Sequence, residues 1–106
     1  MLRYKRGKFS NEQIHQNCEN LAKQIFSCLF KREKEETDLD YYISFLSSRV
    51  SGLSSILGYP PEIITILSLL ESAQSEKSFK LFRKEILDAC ALMYKISEQF
   101  ITVNNE

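Results

Sequence analysis

The chain has 106 residues, of which 43% are hydrophobic and 26% are charged, and its formal net charge is zero. This length predicts a single domain, and the hydrophobic content is sufficient for one core. The balanced charge argues against general nucleic-acid binding, and the longest uncharged run, residues 50–61, is far shorter than the roughly 20 apolar residues of a membrane span. Only three glycines and two prolines occur, which favours a few long elements over many short strands.

The first nine residues, MLRYKRGKF, form a basic arm, and no apolar segment follows it, so we expect no secretory signal. A first helix is predicted over residues 11–32. Ser10 and Gln13 have the spacing of a capping box, in which each side chain binds a backbone N–H of the other residue. The apolar repeat of this helix, at spacings of four and three, is Ile14, Cys18, Leu21, Ile25 and Cys28, widened by Ala22, Phe26 and Leu29.

The segment KREKEETDLD, residues 31–40, carries eight charges in ten residues, and we interpret it as the solvated end of the first helix and a loop. Thr37 or Asp38 then caps a second helix over residues 38–57, which Gly58 ends. The apolar positions of this helix repeat at four and three: Leu39, Ile43, Leu46, Val50, Leu53 and Leu57.

Two prolines separate the second helix from the apolar run IITILSLL. Pro60 is expected to hold Tyr59 in an extended conformation, and Pro61 suits the first position of a third helix over residues 61–73. This helix is apolar nearly all round, so we expect it to be the most enclosed element. The alternative is a buried strand, because the run is rich in β-branched residues, but the chain offers no second strand to pair with it.

A fourth helix is predicted over residues 78–101, capped by Ser75 or Ser78. Its apolar repeat is Phe79, Phe82, Ile86, Ala89, Met93, Ile96 and Phe100, broadened by Leu87, Cys90 and Tyr94. Four amphipathic helices with short connections predict an all-α fold, an antiparallel four-helix bundle spanning the chain as one domain.

The sequence offers no convincing catalytic or metal-binding group. His15 is the only histidine, and with Cys18 one turn away it supplies two ligands, too few for a metal site. Cys18, Cys28 and Cys90 lie on apolar stripes, which favours free, buried thiols in a reducing cytoplasm over nucleophiles or disulfides. The carboxylates of residues 33–40 lie in a solvated loop that would not raise their pKa. We therefore expect no enzyme, no cofactor and no metal.

Serines follow one face of the second helix. Ser44, Ser48, Ser51 and Ser55 repeat at spacings of four, three and four. Serine is a weaker helix former than the Lys, Glu or Gln usual on a solvated face, and its small side chain lets another surface approach closely. The face is either mildly polar and solvated, or packed by a neighbouring helix, or a docking face for a partner.

Basic residues cluster twice. Four lie in the N-terminal arm, Arg3, Lys5, Arg6 and Lys8, and four lie at the start of the fourth helix, Lys77, Lys80, Arg83 and Lys84. The simplest interpretation is that these charges are merely solvated. The functional interpretation is weak attraction to an anionic membrane surface or an acidic partner. Cations near a helix N-terminus oppose the helix dipole slightly, so the second cluster has a small stability cost.

The segments YYISFLSSRVSGLSSILGYPPEIITILSLLESAQ and KLFRKEILDACALMYKI resemble the immunity proteins for class IIa (pediocin-like) bacteriocins, most nearly the carnobacteriocin-type branch. The similarity covers roughly residues 39–96 and rests on the order of elements, an LSSRVSGLSS-like segment on the second long helix, a helix begun by proline and a basic final helix. The chain ends soon after Phe100, whereas several family members have a longer C-terminal tail.

The resemblance implies an antiparallel four-helix bundle in the cytoplasm, with no enzymatic activity and no cofactor. It implies a partner, the bacteriocin-bound sugar phosphotransferase permease at the inner membrane face, and a location in the cytoplasm or peripheral to that face. The C-terminal half of the family is associated with specificity. That association would place recognition on the third and fourth helices, with Lys77, Lys80, Arg83 and Lys84 as candidates.

The rival hypothesis is a small helical adaptor or regulator that works as a homo-oligomer. Its sign would be a large apolar surface on the folded monomer, extending the serine face or the third helix into a dimer contact. A weak homodimer is also compatible with the first hypothesis.

Overall fold

The computed structural model describes residues 10–100, which form four α-helices: α1 (Asn11–Glu33), α2 (Leu39–Leu57), α3 (Pro61–Ser75) and α4 (Phe79–Glu98). The third element is therefore a helix and not a strand. Residues 1–9, predicted to be a basic arm, and residue 101, predicted to end the last helix, lie outside the described residues.

The helices form an antiparallel four-helix bundle. Consecutive helices pack on each other, and the last helix packs on the first. α1 packs on α2 and α4, and α3 packs on the same two helices, whereas the diagonal pairs have no Cα atoms within 8 Å of each other. The pairing of α1 with α4 is the most extensive. This cyclic arrangement follows from the short connections, which force each helix to reverse direction beside its predecessor.

Every helix contributes apolar side chains to one core, at the three-four spacing that the sequence shows. Leu46 on α2 and Ile86 on α4 are both completely buried. Burying one such side chain contributes about 1.5–3 kcal/mol, so these stripes hold the four helices together.

The helix starts are fixed locally. The capping box at α1 is confirmed: Ser10 Oγ accepts from the Gln13 N–H at 3.0 Å, and Gln13 Oε1 accepts from the Ser10 N–H at 2.9 Å. Ser78, not Ser75, caps α4 by accepting from the Leu81 N–H at 3.4 Å. Asp38 occupies the cap position of α2 without a side-chain cap bond.

The helices α1 and α2 end in the same backbone motif. At α2, Gly58 is left-handed, with φ +83°, and the Tyr59 N–H donates to the Ser54 carbonyl at 2.8 Å, as the sequence predicted for Gly58. At α1 the left-handed position is held by Glu35, with φ +54°, and the Glu36 N–H donates to the Lys31 carbonyl at 3.0 Å. A side chain with a Cβ is strained in this conformation, so Glu35 carries a small strain that Gly58 avoids.

Two expectations about the α2–α3 joint and α3 are wrong. Tyr59 is not extended but left-handed, with φ +57°. Proline favours an extended conformation for the residue before it, but the chain turns from α2 to Pro60 through two consecutive residues with positive φ, Gly58 and Tyr59. α3 is not fully enclosed, because it buries one stripe only and Ile64 is 70% exposed.

Three aromatic residues assigned to the core stripes are exposed instead: Phe26, Phe79 and Tyr94. Phe26 and Tyr94 lie at the margins of their helical faces, where burial depends on how closely the neighbouring helix approaches, and Phe79 is the first residue of α4, at the end of its apolar stripe. Helical spacing gives the centre of a buried face but not its width.

Candidate partner-binding surface

The start of α4, where the basic cluster lies, is fixed by a single arginine of α1. Arg32 donates through Nη1 to the Glu76 carbonyl at 2.7 Å and through Nη2 to the Lys77 carbonyl at 2.6 Å. Its guanidinium also stacks on the buried Phe82 ring, 4.6 Å from the centroid. Arginine suits this position because its rigid fork can reach two acceptors at once.

Arg32 was predicted to lie in a solvated charge run, and this role was not predicted. A signal was present: Arg32 stands four residues after Cys28, where the apolar repeat of the first helix would place its next member. A charged residue that continues a buried stripe needs a partner inside the fold. Two carbonyls at the end of α3 supply it here.

The basic face consists of Lys77, Lys80, Arg83 and Lys84, all exposed. Lys80, Arg83 and Lys84 line one shallow concavity on α4 together with Leu81, Leu87 and Asp88. Lys84 pairs with Asp88 at 2.9 Å, and this hydrogen bond raises the pKa of Lys84. Among the described residues, Lys77, Lys80 and Arg83 form no ion pair within 4.0 Å. Three cations are thus available to an external anion.

The serine face is Ser44, Ser48, Ser51 and Ser55, and part of it is used within the fold. Ser44 Oγ accepts from Gln74 Nε2 at 2.7 Å, and the same amide donates to the Asp40 carbonyl at 2.9 Å. Gln74 therefore ties α3 to α2. Ser48 and Ser51 are exposed, whereas Ser55 is half-buried.

The structure does not bring the two candidate surfaces together. The serine face belongs to α2 and the basic face lies at the start of α4, and these diagonal helices have no Cα atoms within 8 Å of each other. One compact partner contact would therefore engage one of the faces and not both.

His15 is half-buried and joins the start of α1 to the end of α4. Its Nδ1 lies 2.8 Å from the carbonyl oxygen of Ser97, and its Nε2 lies 3.5 Å from a Glu19 carboxylate oxygen. The edge position was expected, but the 82-residue separation of the pair hides the contact with Ser97 from sequence reasoning.

The three cysteines are free and buried, as predicted. Burial raises the pKa of the Cys18 thiol to about 11 and that of the Cys28 and Cys90 thiols to about 12. A thiol needs to ionise to act as a nucleophile, so these groups serve as small apolar side chains at neutral pH. Cys90 also donates to the Ala22 carbonyl at 3.3 Å, across the α1–α4 contact.

Polar pairs that the sequence did not predict join α1 to α2. Arg49 donates to Gln24 Oε1 at 2.5 Å, and the hydroxyls of Ser27 and Tyr42 are 3.1 Å apart. Lys31 lies over the Tyr42 ring and pairs with Glu36 and Asp38. The segment of residues 31–40 is therefore partly structured by ion pairs and is not simply solvated.

Within residues 10–100, no helix is both long enough and apolar enough to cross a membrane. The same residues contain no group of three or more His, Cys, Asp or Glu side chains arranged to hold a metal ion. Comparisons with protein-family models, with curated proteins and with solved structures found no match to the chain.

Proposed function

We propose that this chain is a cytosolic immunity protein that protects a producer cell from its own class IIa bacteriocin. The partner is the sugar phosphotransferase permease to which the bacteriocin is bound, and the contact lies at the inner membrane face. The proposal rests on the sequence resemblance and on one observation above all. Three exposed cations, Lys77 just before α4 and Lys80 and Arg83 in its first two turns, form no ion pair within 4.0 Å among the described residues.

The basic face has the properties that such a contact needs. It lies on a helix whose apolar side is locked in the core and whose first turn is held by Arg32, so its cations are presented on a firm backbone. Clustered cations speed the encounter with an acidic surface and suppress wrong partners. Near an anionic inner leaflet each cation adds about 1 kcal/mol of attraction. The function is binding, and no catalytic residue is assigned.

The test is expression inside a sensitive Gram-positive strain. The protein should raise tolerance to one cognate class IIa bacteriocin, and the same protein added outside the cells should have no effect, because the proposed contact is cytoplasmic. The free peptide should bind weakly to the isolated protein, because the proposed partner is the peptide–permease complex. Absence of protection against every class IIa peptide tested would refute the proposal.

A second candidate, a homo-oligomeric adaptor, is favoured by apolar groups beside the serine face. Tyr41 and Phe45, one turn apart on α2, are 78% and 48% exposed, and Ser48 continues the same face. An isologous dimer would cover this patch. Sedimentation equilibrium distinguishes the two: a tight dimer that Phe45→Ser dissociates supports the adaptor, whereas a monomer at micromolar concentration rules it out.

A further inference from the structure

An apolar groove runs between α1 and α4, outside both candidate surfaces described above. Lys23 and Phe26 of α1 and Cys90 and Tyr94 of α4 line it, and its volume is about 290 Å³. Phe30 extends the α1 wall, because it lies one turn beyond Phe26 and the two rings meet edge to face at 5.5 Å.

The groove exposes aromatic surface that the bundle does not use. Phe26, Phe30 and Tyr94 are all exposed, although α1 and α4 make the most extensive contact in the fold. The Cys90 thiol forms part of the floor and is bonded to the Ala22 carbonyl. Two helices with aromatic walls and an apolar floor have the shape that receives a third helix through anchors spaced at three and four residues.

The charges around the groove specify the occupant. Lys23 lines it directly. The nearest acid on α1, Glu19, lies one turn before Lys23 and faces His15. An occupant with a carboxylate beside its apolar stripe would meet the Lys23 cation.

We propose that the groove binds an amphipathic helix of a partner protein, with an apolar stripe that packs on Phe26 and Tyr94 and an acidic residue beside the stripe that pairs with Lys23. A concave site between two helices favours such a segment over a flat lipid surface, which would leave the floor uncovered. This inference goes beyond the immunity function, since peptide binding can fail while bacteriocin tolerance persists, and the reverse also holds.

The test uses two synthetic helical peptides of about four turns, with leucines and one tryptophan at spacings of three and four. One peptide carries glutamates beside the stripe, and the other carries lysines at the same positions. The chain contains no tryptophan, so the emission reports on the peptide alone. The glutamate peptide should bind saturably with a blue-shifted emission, and the lysine peptide should bind at least about tenfold more weakly.

Matched variants locate the site. Phe26→Ser should weaken binding of the glutamate peptide about tenfold or more, while Phe45→Ser should leave it unchanged, because Phe45 is similarly exposed (48% against 42%) but lies on α2. Lys23→Glu should reverse the preference between the peptides, and circular dichroism confirms that each variant is folded. The proposal would be overturned if neither peptide binds, if both bind equally, or if both Phe variants lose binding equally. It would also be overturned if the protein binds anionic vesicles in place of the peptide and this binding depends on Phe26.

Discussion

The basic face of α4 and the serine face of α2 are both polar strips on helices of one bundle, yet the fold uses them differently. The serine face gives Ser44 to a hydrogen bond with Gln74 of α3. The basic face gives only Lys84 to a pair on its own helix, with Asp88. The serine face thus contributes a bond between two helices, whereas the basic face contributes none and leaves three charges without an ion pair among the described residues. The comparison therefore favours α4 as the contact surface.

The largest expected effects come from the core beneath the two faces. Leu46→Ala under the serine face and Ile86→Ala under the basic face should each lower the free energy of unfolding by about 2–5 kcal/mol, because both side chains are completely buried. Similar losses in urea unfolding would show that the faces rest on equally firm helices. Losses below about 1 kcal/mol at both sites would mean that the core faces are misassigned.

The next effect is specific to α4. Arg32→Ala removes two hydrogen bonds and a ring contact, so we expect a loss of about 1.5–3 kcal/mol. Arg32→Lys is the matched control: it retains the charge but cannot hold both carbonyls, so it should restore less than half of the loss.

Amide hydrogen exchange shows where the Arg32 contacts act. In Arg32→Ala, exchange should rise around residues 77–81 and stay unchanged in α2. An equal rise in both helices would mean that Arg32 stabilises the bundle generally and does not position the basic face.

Smaller effects are expected at the two left-handed helix ends. Gly58→Val should cost over about 1 kcal/mol, and the cost should come from the backbone alone, because a Cβ at Gly58 meets nothing within 4 Å. Glu35→Gly at the corresponding position of α1 should instead stabilise by about 0.5–1 kcal/mol, since it relieves the strain of a positive φ. Thermal unfolding measures both. If Gly58→Val and Glu35→Gly change the stability in the same direction, the left-handed conformation is not what determines their effects.

Local features of this fold could be predicted from the sequence, and long-range ones could not. The apolar spacings gave four helices, and the capping box at Ser10 and the glycine at position 58 gave helix limits, because each depends on residues within one or two turns. Tyr59 was predicted wrongly even so, because the extended conformation that proline favours for the preceding residue takes no account of the left-handed turn that ends α2.

The candidate surfaces were predictable as patterns, but not their degree of use within the fold. The contact of Arg32 with the carbonyl of Lys77 joins residues 45 apart, and that of Gln74 with Ser44 joins residues 30 apart. Helical spacing places a residue on a face but does not say which residue of another helix lies opposite it. The exposure of Phe26 was missed for the same reason.

The most direct test of the basic face compares three variants in the bacteriocin tolerance assay. The first replaces Lys77, Lys80, Arg83 and Lys84 by Gln, the second changes Lys77, Lys80 and Lys84 to Arg, and the third is Ser48→Gln with Ser51→Gln on α2. Such surface changes usually alter stability by about 0.5 kcal/mol or less each, so the melting temperatures should barely move. We predict that the glutamine variant loses protection and that the arginine and serine-face variants protect like the wild type. Full protection by the glutamine variant, with loss in the serine-face variant, would contradict the assignment and transfer the contact to α2.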